Sequence, residues 1–153
     1  MHSKKYILFD LDGTLTDSAL GVTKSVQYAL ADQGIVVEDP ADLLSFVGPP
    51  LQDSFYEYYG LTGEANERAG RKFRERYDTI GYHENAVYDG IYELLERLRD
   101  QGKVLMVATS KGGRIARQVL DYFQLTDLLD YISGSREGID DDKVTVMKNA
   151  LRA

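Results

Sequence analysis

The sequence predicts an α/β protein: a parallel-sheet core into which an all-helical segment is inserted. Three observations point there. The run Tyr6–Phe9 is continuously apolar rather than alternating, as in a strand covered on both faces of a parallel sheet. From Gly90 onward the pattern reads helix, strand, helix, strand, helix, which is the order of crossover units. Between these regions, Thr16 to Ala86 carries helical periodicity and no strand to match Tyr6–Phe9. The expected division is a discontinuous core, residues 1–15 and 86–153, around a helical cap, residues 16–85.

Within the cap, Val22, Val26, Ala29 and Leu30 share one helical face, with Gly34 as a stop. Asp39-Pro40 supplies an N-cap and a first-turn proline for a short helix. Ala65, Ala69, Phe73, Tyr77 and Ile80 keep helical spacing through a charged stretch, and Phe55, Tyr56, Tyr58 and Tyr59 read as cap core. In the core, Ile91, Leu94, Leu95 and Leu98 form a helical stripe, with Asp89 as N-cap and Gly102 just past the end. Val104–Ala108 is the second strand, followed by a helix marked by Ile115, Val119, Leu120 and Phe123. Tyr131–Ile132, ahead of Ser133-Gly134-Ser135, is a third and weaker strand, and Val144, Met147 and Leu151 mark a last short helix.

A chain of 153 residues suffices for one well-packed domain or a compact core with a small insertion. Its 43% apolar and 28% charged residues place it among globular rather than disordered chains. No apolar run is long enough to span a bilayer, and no charged-then-apolar leader marks a signal peptide. The absence of cysteine rules out disulfides and thiolate metal sites and is compatible with a cytoplasmic location. A formal charge of −7 disfavours nucleic acid and anionic membrane as partners. It also means that any phosphate-handling site must bring local cations or a metal.

The stretch with most chemistry is Tyr6 to Ser18, YILFDLDGTLTDS. Ligands of open α/β sheets bind beyond the carboxyl ends of the strands, and Asp10 stands at such an end. A carboxylate there can attack phosphorus and form an aspartyl-phosphate. Asp12 is close enough in sequence to give a proton to the leaving oxygen and later take one from water. Two adjacent anions facing a phosphate call for a cation, and Mg²⁺ suits carboxylate, carbonyl and phosphate oxygens together. Gly13 permits a sharp turn, while Thr14 and Thr16 offer hydroxyl and amide donors. Asp-x-Asp-Gly alone is equally a capped strand-to-turn junction. It also looks like the start of a calcium loop, but the later ligand positions are missing.

The full string, apolar strand then Asp-Leu-Asp-Gly-Thr-Leu-Thr-Asp-Ser, resembles the first motif of the haloacid dehalogenase-like superfamily. The resemblance extends over nearly the whole chain and implies a Rossmann-like core with a helical cap. It implies Asp10 as nucleophile, Asp12 as general acid/base, and a phosphate ester rather than a carbon–halogen bond as target, because the dehalogenase-type members lack the second carboxylate. The string VLMVATSK resembles the second motif, with Thr109, and Ser110 beside it, holding the phosphoryl group. For Thr109 a helix N-cap or strand-end hydroxyl is the competing explanation. Lys143 occupies the place of the third-motif lysine, ahead of Lys148 and Lys111. FVGPPL, residues 46–51, looks like the substrate-facing cap loop of the phosphoglycolate phosphatase and 5′-nucleotidase-like branch, which makes Gly48 a substrate-binding position. A proline-enforced helix break explains that loop equally well. His83 is more simply incidental, and Asp140-Asp141-Asp142 an acidic helix start.

The resemblance stops short of a fourth motif, a Gly-Asp and a further carboxylate that complete the Mg²⁺ site in the family; no Gly-Asp follows Thr109. The metal positions are thus Asp10 and Asp12, offering at most one carboxylate and a backbone carbonyl. The chain reads as truncated before that motif, with Tyr6–Phe9 left as a sheet edge. The expected activity is Mg²⁺-dependent hydrolysis of a small phosphorylated metabolite. The competing expectation is a catalytically incompetent remnant that keeps the fold. Neither the particular ester nor an oligomeric state is legible.

Overall fold

The computed structural model describes residues 5–136 and 143–152. The chain divides into two compact units, Met1–Thr16 with Val87–Ala153, and Asp17–Ala86. In the first unit, strands β1 (Tyr6–Phe9), β4 (Val104–Gly112) and β5 (Tyr131–Ser135) form a parallel sheet in the order β1-β4-β5. Two-residue strands β2 (Thr16–Asp17) and β3 (Ala86–Val87) pair where the chain leaves and re-enters this unit. This is the mixed α/β, Rossmann-like core that the strand and helix order implies.

The continuous apolar run in β4 is explained by its burial on both sides. Leu105 and Val107 enter one cluster with Ile91 and Leu95 of α4 (Ile91–Asp100) and Ala116 and Leu120 of α5 (Gly113–Tyr122). Met106 and Ala108 enter the other, with Val146 and Ala150 of α6 (Lys143–Leu151). The chain steps the same way across the sheet from β1 to β4 to β5, so right-handed crossovers put α4 and α5 on one face. The helix after β5 then covers the opposite face.

β1 packs on both faces, Ile7 and Phe9 on one cluster and Leu8 on the other, and as expected it stands at a sheet edge: among the described residues its sheet neighbour is β4 alone. Several expectations change at this level. β4 runs on to Gly112 and β5 through Ser135, because Ser133-Gly134-Ser135 continue the ladder. Gly90, at φ 84°, takes the N-cap position expected of Asp89. The stripe Val144, Met147 and Leu151 faces outward, at 57%, 39% and 65% exposure, while Val146 and Ala150 are fully buried. The small Ala150 side chain and a Ser133 Oγ–H donated to the Val146 carbonyl at 2.7 Å draw that face onto the sheet. Asp140-Asp141-Asp142 lies outside the described residues.

The second unit is built from α1 (Ala19–Ala31), a 3₁₀ turn over Pro40–Phe46, α2 (Leu51–Tyr59) and α3 (Gly63–Tyr77). The α1 face Val22, Val26, Ala29 and Leu30 is buried as its spacing requires, as are Ala69, Phe73 and Tyr77 of α3. Ile80 lies beyond the end of α3 and is exposed. The Asp39 carboxylate accepts the Ala41 N–H at 2.9 Å, so the Asp39-Pro40 start is a true cap. Phe55 is buried edge-on to Phe46, whereas Tyr56 points to solvent. A Cβ on Gly21 would lie 2.1 Å from the Gly81 carbonyl oxygen, so only glycine lets α1 approach that segment.

Candidate functional site

The loop after β1 is a tight knot tied to a single atom. The Leu11 carbonyl accepts the N–H groups of Thr14, Leu15 and Thr16 at 3.2, 3.0 and 3.1 Å. Gly13 turns at φ 82° and donates its N–H to the Thr16 carbonyl at 2.8 Å. Leu11 and Leu15 are fully buried and anchor the loop in the cluster that holds Leu105 and Val107. With these two plugged inward, Gly13 and Thr14 are exposed and Asp12 stands at the rim. Asp10 directly follows β1, and its Oδ1 accepts the Leu11 N–H at 2.8 Å.

β4 delivers the next groups. Phe9 pairs with Val107, and continuing that parallel register brings Asp10 level with Ala108, next to Thr109. Between Ala108 and Gly112 the β4–β5 register shifts, an irregularity of the kind that re-aims side chains at strand ends. Thr109 is buried, and its Oγ1 accepts the Lys111 N–H at 3.1 Å, which leaves the hydroxyl proton to donate. The Ser110 carbonyl accepts the Ser135 hydroxyl at 2.6 Å.

The irregularity turns Lys111 toward the β1 loop. Its Nζ lies 3.5 Å from Asp12 Oδ2, with both side chains about nine-tenths buried (10% and 9% exposed). The other oxygen, Asp12 Oδ1, is also buried and has no hydrogen-bond partner among the described residues. Sequence reasoning ranked Lys111 below Lys143 because Lys143 holds the third-motif place relative to the other motifs. Its contact with Asp12 is a product of tertiary structure.

The structure therefore gathers Asp10, Asp12, Thr109, Ser110 and Lys111 at the carboxyl ends of two adjacent strands, with Thr14 on the same loop. Lys143 is the first residue of α6; its side chain lies outside the described residues. Gly48 belongs to the helical unit, at φ 104° in the turn before Pro49 and Pro50. Among the described residues no three His, Cys, Asp or Glu side chains come together. The oxygen donors on offer to a metal are the Asp10 carboxylate and the backbone carbonyl of Asp12. Such hard donors suit Mg²⁺, which commonly takes one or two carboxylates and completes its shell with water and phosphate.

A parallel α/β core with paired aspartates after the first strand, a hydroxyl after the next and a helical insertion between them defines a class of hydrolases. Residues 7–152 match the model of the haloacid dehalogenase-like hydrolases, and the chain belongs to that family. It is 48% identical over 129 residues to a 5′-nucleotidase of Pseudomonas aeruginosa, covering 84% of this chain and 58% of that protein. It is 39% identical over 150 residues to the tyrosine-protein kinase PtkA of Mycobacterium tuberculosis, covering 97% and 51% respectively. Among solved structures, a predicted phosphatase from Clostridium acetobutylicum superposes with a TM-score of 0.94 at 47% identity, over 97% of this chain and 69% of that one. The chain thus spans little more than half the length of these curated relatives.

Proposed function

We propose that this chain carries the reacting groups of a Mg²⁺-dependent phosphatase acting on small phosphate monoesters. One observation carries the reading: beside Asp10, Asp12 holds one carboxylate oxygen against a lysine and leaves the other buried and unsatisfied. A structural carboxylate normally fills both oxygens; one that is to give and take a proton keeps an oxygen open.

In this reading a carboxylate oxygen of Asp10 bonds to phosphorus as the ester P–O bond breaks, and Asp12 hands a proton to the departing oxygen. Asp12 then takes a proton from a water whose oxygen attacks the aspartyl-phosphate, and inorganic phosphate leaves as Asp10 is regenerated. Thr109, Ser110 and Thr14 donate to the phosphoryl oxygens, Lys143 adds positive charge, and Gly48 contributes from the cap loop. When bound at Asp10 and Asp12, Mg²⁺ supplies the charge neutralisation that two carboxylates and a phosphate require. The similarity to a 5′-nucleotidase favours a nucleoside monophosphate, and phosphoglycolate is the next candidate. Nucleic acid and membrane are not proposed as partners, and the location proposed is the cytoplasm.

The likeness to PtkA favours a second reading, in which a tyrosine hydroxyl replaces water as acceptor of the phosphoryl group. Phosphate release from an aryl phosphate, with and without Mg²⁺ and with Asp10→Asn alongside, tests the first reading. Expected is Mg²⁺-dependent release that disappears in Asp10→Asn. Undiminished release in the variant, or none from folded wild-type protein, overturns it; tyrosine labelling without release supports the second.

A further inference from the structure

We infer that Lys111 is a positioning residue for Asp12: its ammonium holds Oδ2 so that Oδ1 is the oxygen presented for proton transfer. The inference rests on the role proposed above for Asp12. The geometry has three parts. The ion pair is about nine-tenths buried on both sides, where a 3.5 Å contact is little screened by water or salt. The partner oxygen is buried and unsatisfied, so the pair does not simply fill the carboxylate.

The backbone that carries Lys111 is itself fastened. The Lys111 N–H is donated to Thr109 Oγ1, and the preceding carbonyl accepts from Ser135. Behind it, Gly134 passes so close that an added Cβ would lie 2.6 Å from the Lys111 carbonyl oxygen and 2.7 Å from the Gly113 backbone. β5 thus fits against the β4 irregularity only because residue 134 has no side chain. Thr109 and Lys111 are placed by one local structure, so the proposed phosphate hydroxyl and the hold on Asp12 are set together.

Two measurements test this, one of them independent of turnover. Three-bond couplings to Asp12 Cγ report its χ1 rotamer by NMR. A single rotamer is expected in the wild type and in Lys111→Arg, and rotamer averaging in Lys111→Met. Unchanged couplings in Lys111→Met overturn the proposal even if the protein hydrolyses nothing. In Mg²⁺-loaded active protein, Lys111→Met lowers kcat by roughly a hundredfold, the scale of a small misplacement of a reacting group. KM and inhibition by inorganic phosphate stay within about twofold, and Lys111→Arg restores part of the rate. In an Asp12→Asn background, Lys111→Met costs nothing more, as expected of two residues acting through one step. A rise in KM and in the inhibition constant for phosphate at unchanged kcat overturns the proposal, because Lys111 would then grip the phosphoryl group itself. Should Lys111→Met fail to fold, the Asp12→Asn/Lys111→Met pair removes both buried charges and is compared with Asp12→Asn alone; a large additional loss refutes the assignment.

Discussion

Each compact unit contains an ion pair largely withdrawn from solvent, more deeply at Lys111–Asp12 than at Arg76–Glu84, and the two are finished differently. In the helical unit Arg76 reaches both oxygens of Glu84, at 2.8 and 3.3 Å, and also Ser25 Oγ at 3.2 Å. Lys24 adds a contact at 3.5 Å. In the sheet unit Lys111 touches one oxygen of Asp12 and the other is left unsatisfied. The first arrangement is closed: every strong acceptor is used, and its effect is to tie α3 to the segment around Glu84 and to α1. The second is open, and an open buried carboxylate is a cost that a purely structural pair has no reason to bear. Saturation of the carboxylate, more than burial or charge, separates a fastening from a candidate reacting group.

That contrast can be broken in stages. Asp12→Asn has the largest expected effect on the sheet unit's side: turnover falls by about 10²- to 10⁴-fold, the usual contribution of a positioned acid/base, read from kcat. Gly21→Ala drives a Cβ into the Gly81 backbone within the helical unit and costs about 3 kcal/mol, read by denaturant unfolding. Arg76→Met leaves Glu84 with half its partners and costs about 2 kcal/mol.

The last of these also has a pH signature. Burial pushes the Glu84 carboxyl up, but the hydrogen bond and charge of Arg76, with the charge of Lys24, outweigh it and hold the group below its ordinary value. Its contribution to stability is therefore present above the unfolded value of about 4.5 and is lost as the pH falls through the lower folded value. Removing Arg76 lets burial dominate, so the acid-side loss is blunted in Arg76→Met; an identical acid limb in both proteins would contradict the closed-pair account. The smallest effect belongs to Arg68→Ala. Arg68 grips Asp32 with two bonds, at 2.6 and 3.2 Å, but at the surface, so no measurable change in Tm is expected.

What could be read from the sequence follows the reach of each signal. The Tyr6–Phe9 run, Gly13 at its turn and the helical faces of α1 and α3 are local, and local pattern suffices for them. The α6 face was misread because Met147 and Leu151 outweigh Ala150 as apolar residues, yet it is Val146 with the small Ala150 that fits against β4. Asp89 has the better capping side chain, but Gly90 supplies the left-handed backbone on which the helix begins. The aspartates stood out through the full string that follows the strand and its resemblance to a family motif, where their spacing alone left a turn equally open. Lys111 did not, because its value depends on a register shift in β4 and on a glycine more than twenty residues later in β5.

The knot at Leu11 has a consequence for how such a site can change over evolutionary time. Because one carbonyl and two buried leucines specify the loop, its shape does not depend on the side chains at 12 and 14. Substitution at either leaves these backbone hydrogen bonds in place, and at 12 it also takes from Lys111 its buried partner. A lineage can therefore exchange the chemistry carried there while inheriting the scaffold intact, and the six residues from Leu11 to Thr16 behave as a cassette.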